Sequence, residues 1–180
     1  VNIDEYQTLA CRTMGDASLT TLALGIAGES GEVADLVKKH VGHSHELDRE
    51  KLKEELGDVL WYVATMARAL GCELRDLFPS YSFESTTNCA RKRALERAAT
   101  GISASAGRVL ILLNDSDGFS IGYEESQALE RFLAQLVLSI NDACKTIGVE
   151  IEDVAAANID KLRRRYPDGF SSERSRNREE

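Results

Sequence analysis

Apolar residues recur along this chain at intervals of three and four, the period of a helix packed on one face. In "REKLKEELGDVLWYVATMARAL", residues 49 to 70, Leu52, Leu56, Val59, Leu60 and Val63 share one side of such a helix. The period-two alternation of a half-buried strand is almost nowhere sustained. Polar caps mark the boundaries. Asn2, with Glu5 three residues on, predicts a first helix running to about Met14, and a second covers residues 18 to 40. "HVGHSHELD" reads as a polar connector holding His40, His43 and His45, after which Asp48 caps a third helix to about Leu70. A short turn, "CELRDLF", and a Ser- and Thr-rich linker over residues 79 to 88 follow, with Asn88 capping a fourth helix over roughly 89 to 114. The loop "DSDGFSIGY" precedes helices at 124 to 147 and 151 to 165, and the polar tail 171 to 180 predicts disorder. The two prolines, Pro79 and Pro167, stand where the helical pattern stops. The fold class is all-α, a helical bundle.

The helices repeat. "GIAGESGEV" (25 to 33) aligns with "GISASAGRV" (101 to 109) at a shift of 76, and "LGCELRDL" (70 to 77) with "IGVEIEDV" (147 to 154) at 77. Two matches in one order at nearly one offset imply a tandem duplication, a pseudo-dimer within one chain. The first lobe then spans residues 1 to 78 and the second 89 to 170. The copies differ in charge: Glu29, Glu32, Glu55 and Asp58 meet Ser105, Arg108, Phe132 and Gln135. Small residues persist, Gly28 meeting Ala104 and Gly57 meeting Ala134.

Residues three apart share a helix face, so Glu29 with Glu32 and Glu55 with Asp58 form two acidic pairs on helices joined by a short connector. Gly25, Gly28 and Gly31 crowd the first of these helices, although each glycine costs about 1 kcal/mol relative to alanine there. Gly28, Gly31 and Gly57 are expected to let the two acidic faces approach. Four converging carboxylates repel unless a cation or a proton compensates, and an all-oxygen set suits Mg²⁺, with Mn²⁺ as a substitute. A carboxylate-bridged iron centre would call for Glu-x-x-His, which is missing beside these acids. The HxxHxH spacing of His40, His43 and His45 either chelates a transition metal or is a plain polar connector. Lys39, seven residues beyond Glu32, and Lys51, four before Glu55, are candidate anion ligands beside the acids, exposed lysine being the alternative for each. Asn158, Lys161 and Arg165 share one face of the last helix.

Charge narrows the function. A formal net charge of −8 across 180 residues argues against a nucleic-acid surface, which needs clustered Lys and Arg. No apolar run approaches the roughly 20 residues that span a bilayer, and "VNIDEYQ" is no secretory signal, so the expected compartment is the cytoplasm without membrane attachment. Cys11, Cys72, Cys89 and Cys144 form no CxxC pair and read as reduced buried thiols.

"ESGE" and, a helix later, "ELGD", together with "LGIAGESGEVADLVKK", "KLKEELGDVLWYVA" and the late "ANIDKLRRRYPDGF", resemble the MazG-like all-α nucleoside triphosphate pyrophosphohydrolases. The resemblance covers residues 4 to 77 and 147 to 170. It implies that Glu29, Glu32, Glu55 and Asp58 bind Mg²⁺ and that water attacks the α-phosphorus of a nucleoside triphosphate, giving a monophosphate and pyrophosphate. It also implies that Asn158 and Lys161 lie by the substrate and that Tyr62 sits near the sugar or base, packing being the alternative for Tyr62. The general base stays open among the four acids. The family's habit of packing short chains around shared bundles makes this chain a fused pair with one catalytic set, and a further homodimer is left open. Three functions follow: a broad pyrophosphohydrolase clearing unwanted or surplus nucleotides, a selective dUTP or dCTP diphosphatase, or a nucleotide- or metal-binding module without turnover.

Overall fold

The computed structural model describes residues 1–78, 88–115 and 121–171, with the side chains of residues 88 and 89 left aside. The first three helices start where a local side chain satisfies a free backbone amide of the first turn. Asn2 Oδ1 accepts from the Glu5 amide at 2.9 Å and opens α1 (Ile3–Cys11). Ser18 Oγ accepts from Thr21 at 3.1 Å and opens α2 (Leu19–His43), and Asp48 accepts from Lys51 at 2.9 Å and opens α3 (Arg49–Ala69). A 3₁₀ turn (Leu74–Leu77) is followed by α4 (Asn88–Asp115), α5 (Tyr123–Ile147) and α6 (Ile151–Arg165). No strand occurs among the described residues. The predicted linker (79–87), the centre of the loop before α5 (116–120), the Asn88 cap, Cys89 and the tail beyond Ser171 lie outside the described residues.

Two boundaries depart from the sequence reading. α1 stops at Cys11 rather than near Met14, because the Ala10 carbonyl takes the Thr13 hydroxyl at 2.8 Å and the Trp61 indole N–H at 3.1 Å, which turns the chain away. α2 runs on to His43, past Gly42, and ends at Ser44 in the left-handed conformation (φ 59°). His40 and His43 are therefore helical, and only His45 belongs to the connector.

α2 packs on α3 and on α4, and α5 packs on both α3 and α4, closing a ring of four helices. Residues at the C-terminal ends of α2 and α5 and the N-terminal ends of α3 and α4 line one cavity, so neighbours in the ring run antiparallel. Apolar residues from both halves share the core: Ile26, Leu56 and Leu60 with Ile102, Leu133 and Leu136, all fully buried. Burying each such side chain contributes about 1.5–3 kcal/mol. α1 and α6 lie across α3. Gln7 ties α1 down, donating to the Ala64 and Cys72 carbonyls at 3.3 and 3.1 Å and accepting from the Leu74 amide at 2.9 Å.

The glycines divide into two kinds. A Cβ on Gly25 would lie 2.1 Å from the Tyr62 ring, and one on Gly57 would lie 3.1 Å from the Asn158 Cβ. Those two are required by close approach. Gly28 and Gly31 face open space, against the expectation that they draw α2 onto α3. Gly57 admits α6, not α2, to the surface of α3.

Candidate active site

α2 and α3 each present two acids one turn apart, and the packing of the helices brings three of the four together. Single carboxylate oxygens of Glu29, Glu55 and Asp58 lie within 4.8 Å of one another. Glu32 is exposed and stands outside this cluster, although its charge still raises the Glu29 pKa. The Glu29 carboxyl is held above the usual carboxylate range first by burial, then by the charges of Asp58 and Glu55.

Lysines offset the cluster. Glu55, only 5% exposed, pairs with Lys51 Nζ at 2.7 Å. Asp58 Oδ1 accepts from Lys161 Nζ at 2.6 Å and from Asn158 Nδ2 at 2.9 Å. The Tyr6 hydroxyl, fully buried, donates to Asn158 Oδ1 at 3.0 Å, and this orients the amide so that its N–H groups face Asp58. Burial, followed by the Asp58 charge, pushes the Tyr6 phenol well up, so it remains a donor. Lys161 also reaches Glu54 Oε1 at 3.3 Å.

A groove of about 450 Å³ opens along this network, with Lys51, Lys53, Glu54, Asn158, Lys161 and Arg164 in its wall. Asp48 and Glu50 complete the lining, so the three clustered carboxylates sit beside a groove of mixed charge with four bases and three acids in its wall. An all-oxygen donor set of this kind fits a hard divalent cation, and among the described residues it is the only group of three or more potential ligands. No histidine belongs to it: His40 Nδ1 lies 2.9 Å from the His45 carbonyl oxygen.

Among the residues singled out from sequence, Glu29, Glu55, Asp58, Lys51, Asn158 and Lys161 come together. Lys39 does not join them; it is exposed and paired with Asp35 at 2.6 Å. Arg165 is exposed, and its neighbour Arg164 lines the groove instead. Tyr62 is half-buried, its ring lying over Gly25 and edge-on to Trp61 with centroids 4.7 Å apart. Sequence reasoning passed over Tyr6, Lys53, Glu54 and Arg164. Glu54 and Arg164 carried a faint signal, each three residues from a lysine of the site, whereas the Tyr6–Asn158 contact spans 152 positions and had none.

The MazG nucleotide pyrophosphohydrolase domain matches residues 17–82, the segment that holds all four acids, Lys51 and Tyr62. Asn158 and Lys161 reach the cluster from beyond it. The Gene 37 protein of Mycobacterium phage L5 is 37% identical over 83 aligned residues, spanning 39% of this chain and 73% of that protein. No solved structure matches the chain. No helix among the described residues is long and apolar enough to cross a membrane. With its acids, their spacing and its all-helical fold in agreement with these matches, the chain belongs to the MazG nucleotide pyrophosphohydrolase family.

Proposed function

We propose that this chain hydrolyses ribo- or deoxyribonucleoside triphosphates to the monophosphate and pyrophosphate, and so removes surplus or unwanted nucleotides. One observation carries the reading: three carboxylates of α2 and α3 converge beside a groove that holds Lys51, Lys53 and Arg164 and shares Asn158 and Lys161 with their hydrogen-bond network. A divalent cation held by Glu29, Glu55 and Asp58, Mg²⁺ or in its place Mn²⁺, would neutralise phosphate charge and make water more acidic.

The residues do the rest. Lys51 and Lys161 balance Glu55 and Asp58 in the free protein, and triphosphate oxygens offer them alternative partners. Lys53 and Arg164 line the same groove and offer further cations to a phosphate chain. Asn158, oriented by Tyr6, holds Asp58 in place. Glu32, outside the three-carboxylate cluster, has lone pairs free to take the proton of the attacking water. The water oxygen bonds to the α-phosphorus as the bond from that phosphorus to the α–β bridging oxygen breaks, and the bonding pair leaves on pyrophosphate.

We also read α4 and α5 as a second copy of α2 and α3 that has lost the acids. In support, Gly25 lies against Tyr62 and Gly101 against Ser139, equivalent positions at the offset seen in sequence.

Pyrophosphate release from a panel of nucleoside triphosphates, with Mg²⁺ and with chelator, tests the function. Metal-dependent pyrophosphate is the expected result. Orthophosphate instead, or no product, would overturn it, the latter favouring a binding module. Rates confined to dUTP or dCTP would identify a selective diphosphatase with the same chemistry. Glu32→Gln should lose most turnover while keeping metal binding; retained turnover would remove Glu32 as the base.

A further inference from the structure

At the end of the bundle where α2 and α5 finish and α3 and α4 begin lies a second cavity, of about 270 Å³. His40, Arg49, Arg91 and Lys92 line it together with Leu95 and Thr146, and no Asp or Glu is among its described lining residues. The chain has 30 acidic residues against 22 Lys and Arg, so a cavity holding three of the bases and none of the acids is a segregation of charge. No ion pair joins Arg49, Arg91 or Lys92 to a carboxylate among the described residues.

The helix ends sharpen the contrast. α1, α3, α5 and α6 carry acids in their first turns, the sign that a helix N-terminus favours. α2 and α4 carry none there, and α4 alone of these two follows with a basic run, Arg91, Lys92 and Arg93. Like charges placed against a positive helix end are unfavourable unless an anion relieves them. Arg49 is already oriented, donating to the Ile147 carbonyl at 3.2 Å across the cavity's edge. His40 donates from Nδ1 to the His45 carbonyl, since a carbonyl only accepts, which leaves Nε2 as the ring atom free of that contact.

We propose that this cavity binds the phosphate chain of a small molecule, at a site separate from the carboxylate cluster. A single carboxylate would leave most of the positive charge unmatched, whereas a di- or triphosphate balances two arginines and a lysine and suits the guanidinium fork. Thr146 also lines another cavity, of about 200 Å³, whose wall mixes Arg97, Gln135, Ser139 and Asp142 with Ala98 and Leu138. Space for a nucleoside therefore lies next to the phosphate position.

The test is calorimetric titration of the full chain with sodium pyrophosphate in chelator, where neither turnover nor metal enters. It compares the wild type with Arg91→Ala/Lys92→Ala and with Lys161→Ala. Arg91 and Lys92 are exposed, so their replacement leaves the core untouched. The expected result is that binding survives Lys161→Ala and weakens at least tenfold in the double variant. Binding lost with Lys161→Ala and kept in the double variant would assign all of it to the groove by the carboxylates and overturn the proposal. No binding at millimolar pyrophosphate would overturn it equally. Repeating the titration with a nucleoside triphosphate separates the two sources of the phosphate chain: equal affinity assigns the phosphates alone, and tighter binding assigns a nucleotide that uses the adjoining cavity.

Discussion

Replacing Glu29 with Gln should stabilise the metal-free protein while abolishing its response to a divalent cation. Glu29 contributes one of three carboxylate oxygens within 4.8 Å of one another. At that separation two unit charges interact by about 0.9 kcal/mol in a water-like dielectric and about 3.5 kcal/mol at an effective dielectric constant of 20. Glu29 is half-exposed, and Lys51 and Lys161 already neutralise its two neighbours, so the repulsion is heavily discounted. A net gain of about 1 kcal/mol remains, which in a chain of this size raises Tm by roughly 2–4 °C. The pH dependence has a definite sign. Because the Glu29 pKa is raised in the fold above the ordinary 4.5, the native state holds more protons than the unfolded state just above that pH, and metal-free stability falls as pH rises through the window. The advantage of the variant is therefore present at neutral pH and vanishes below about pH 4.5. Thermal melts in chelator and in Mg²⁺ or Mn²⁺ measure both effects. Ligand at a hundred times its Kd adds about 2.7 kcal/mol to the wild type, and the variant should gain far less. A variant that melts lower than wild type in chelator, or that gains as much from the metal, would refute the reasoning.

Lys161→Ala removes a charge-assisted contact worth about 1.5–3 kcal/mol. It should raise KM for the triphosphate by roughly 10- to 150-fold, and an unchanged KM in steady-state kinetics would exclude Lys161 from substrate binding. Gly57→Ala places a methyl 3.1 Å from the Asn158 Cβ and displaces α6 by a few tenths of an ångström. A drop in kcat/KM of about tenfold with unchanged helicity is expected, since small misplacements at a reacting site are costly; full activity would show that the Asn158 position is not critical. Burial pushes the Cys144 thiol up to about 12. Iodoacetamide at pH 8 should spare it in the native chain and modify it after unfolding, read by mass spectrometry, and native labelling as fast as that of Cys11 would contradict the burial. The same shift means that this thiol's contribution to stability, intact below about pH 9, is lost as pH rises toward 12.

The caps Asn2 and Asp48 were legible because capping is local, a side chain bonding an amide three residues on. Three of the four acids were legible as a cluster for a related reason: the spacing within each pair fixes a face, and a short connector turns one face toward the other. Azimuth was the limit. One residue along a helix is a turn of about 100°, enough to exchange Arg165 for Arg164 at the groove, and even the offset of about 60° between residues three apart leaves Glu32 outside the cluster that Glu29 joins. Gly28 and Gly31 looked like contact residues by type, yet only the packed bundle shows that Gly25 and Gly57 take the contacts. Tyr6 and Asn158 were beyond local reasoning altogether, their meeting being a property of how α1 and α6 lie on α3.

That meeting has a consequence for how the protein comes into being. A ribosome completes α2 and α3, with every acid of the site, long before it reaches Asn158 and Lys161. Until α6 emerges, the cluster lacks the ammonium group on Asp58 and the amide that orients it. The nascent chain thus carries Glu55 with its lysine but Asp58 without its partners. A premature stop between residue 82 and α6 yields a polypeptide with the family's signature intact but without Asn158 and Lys161.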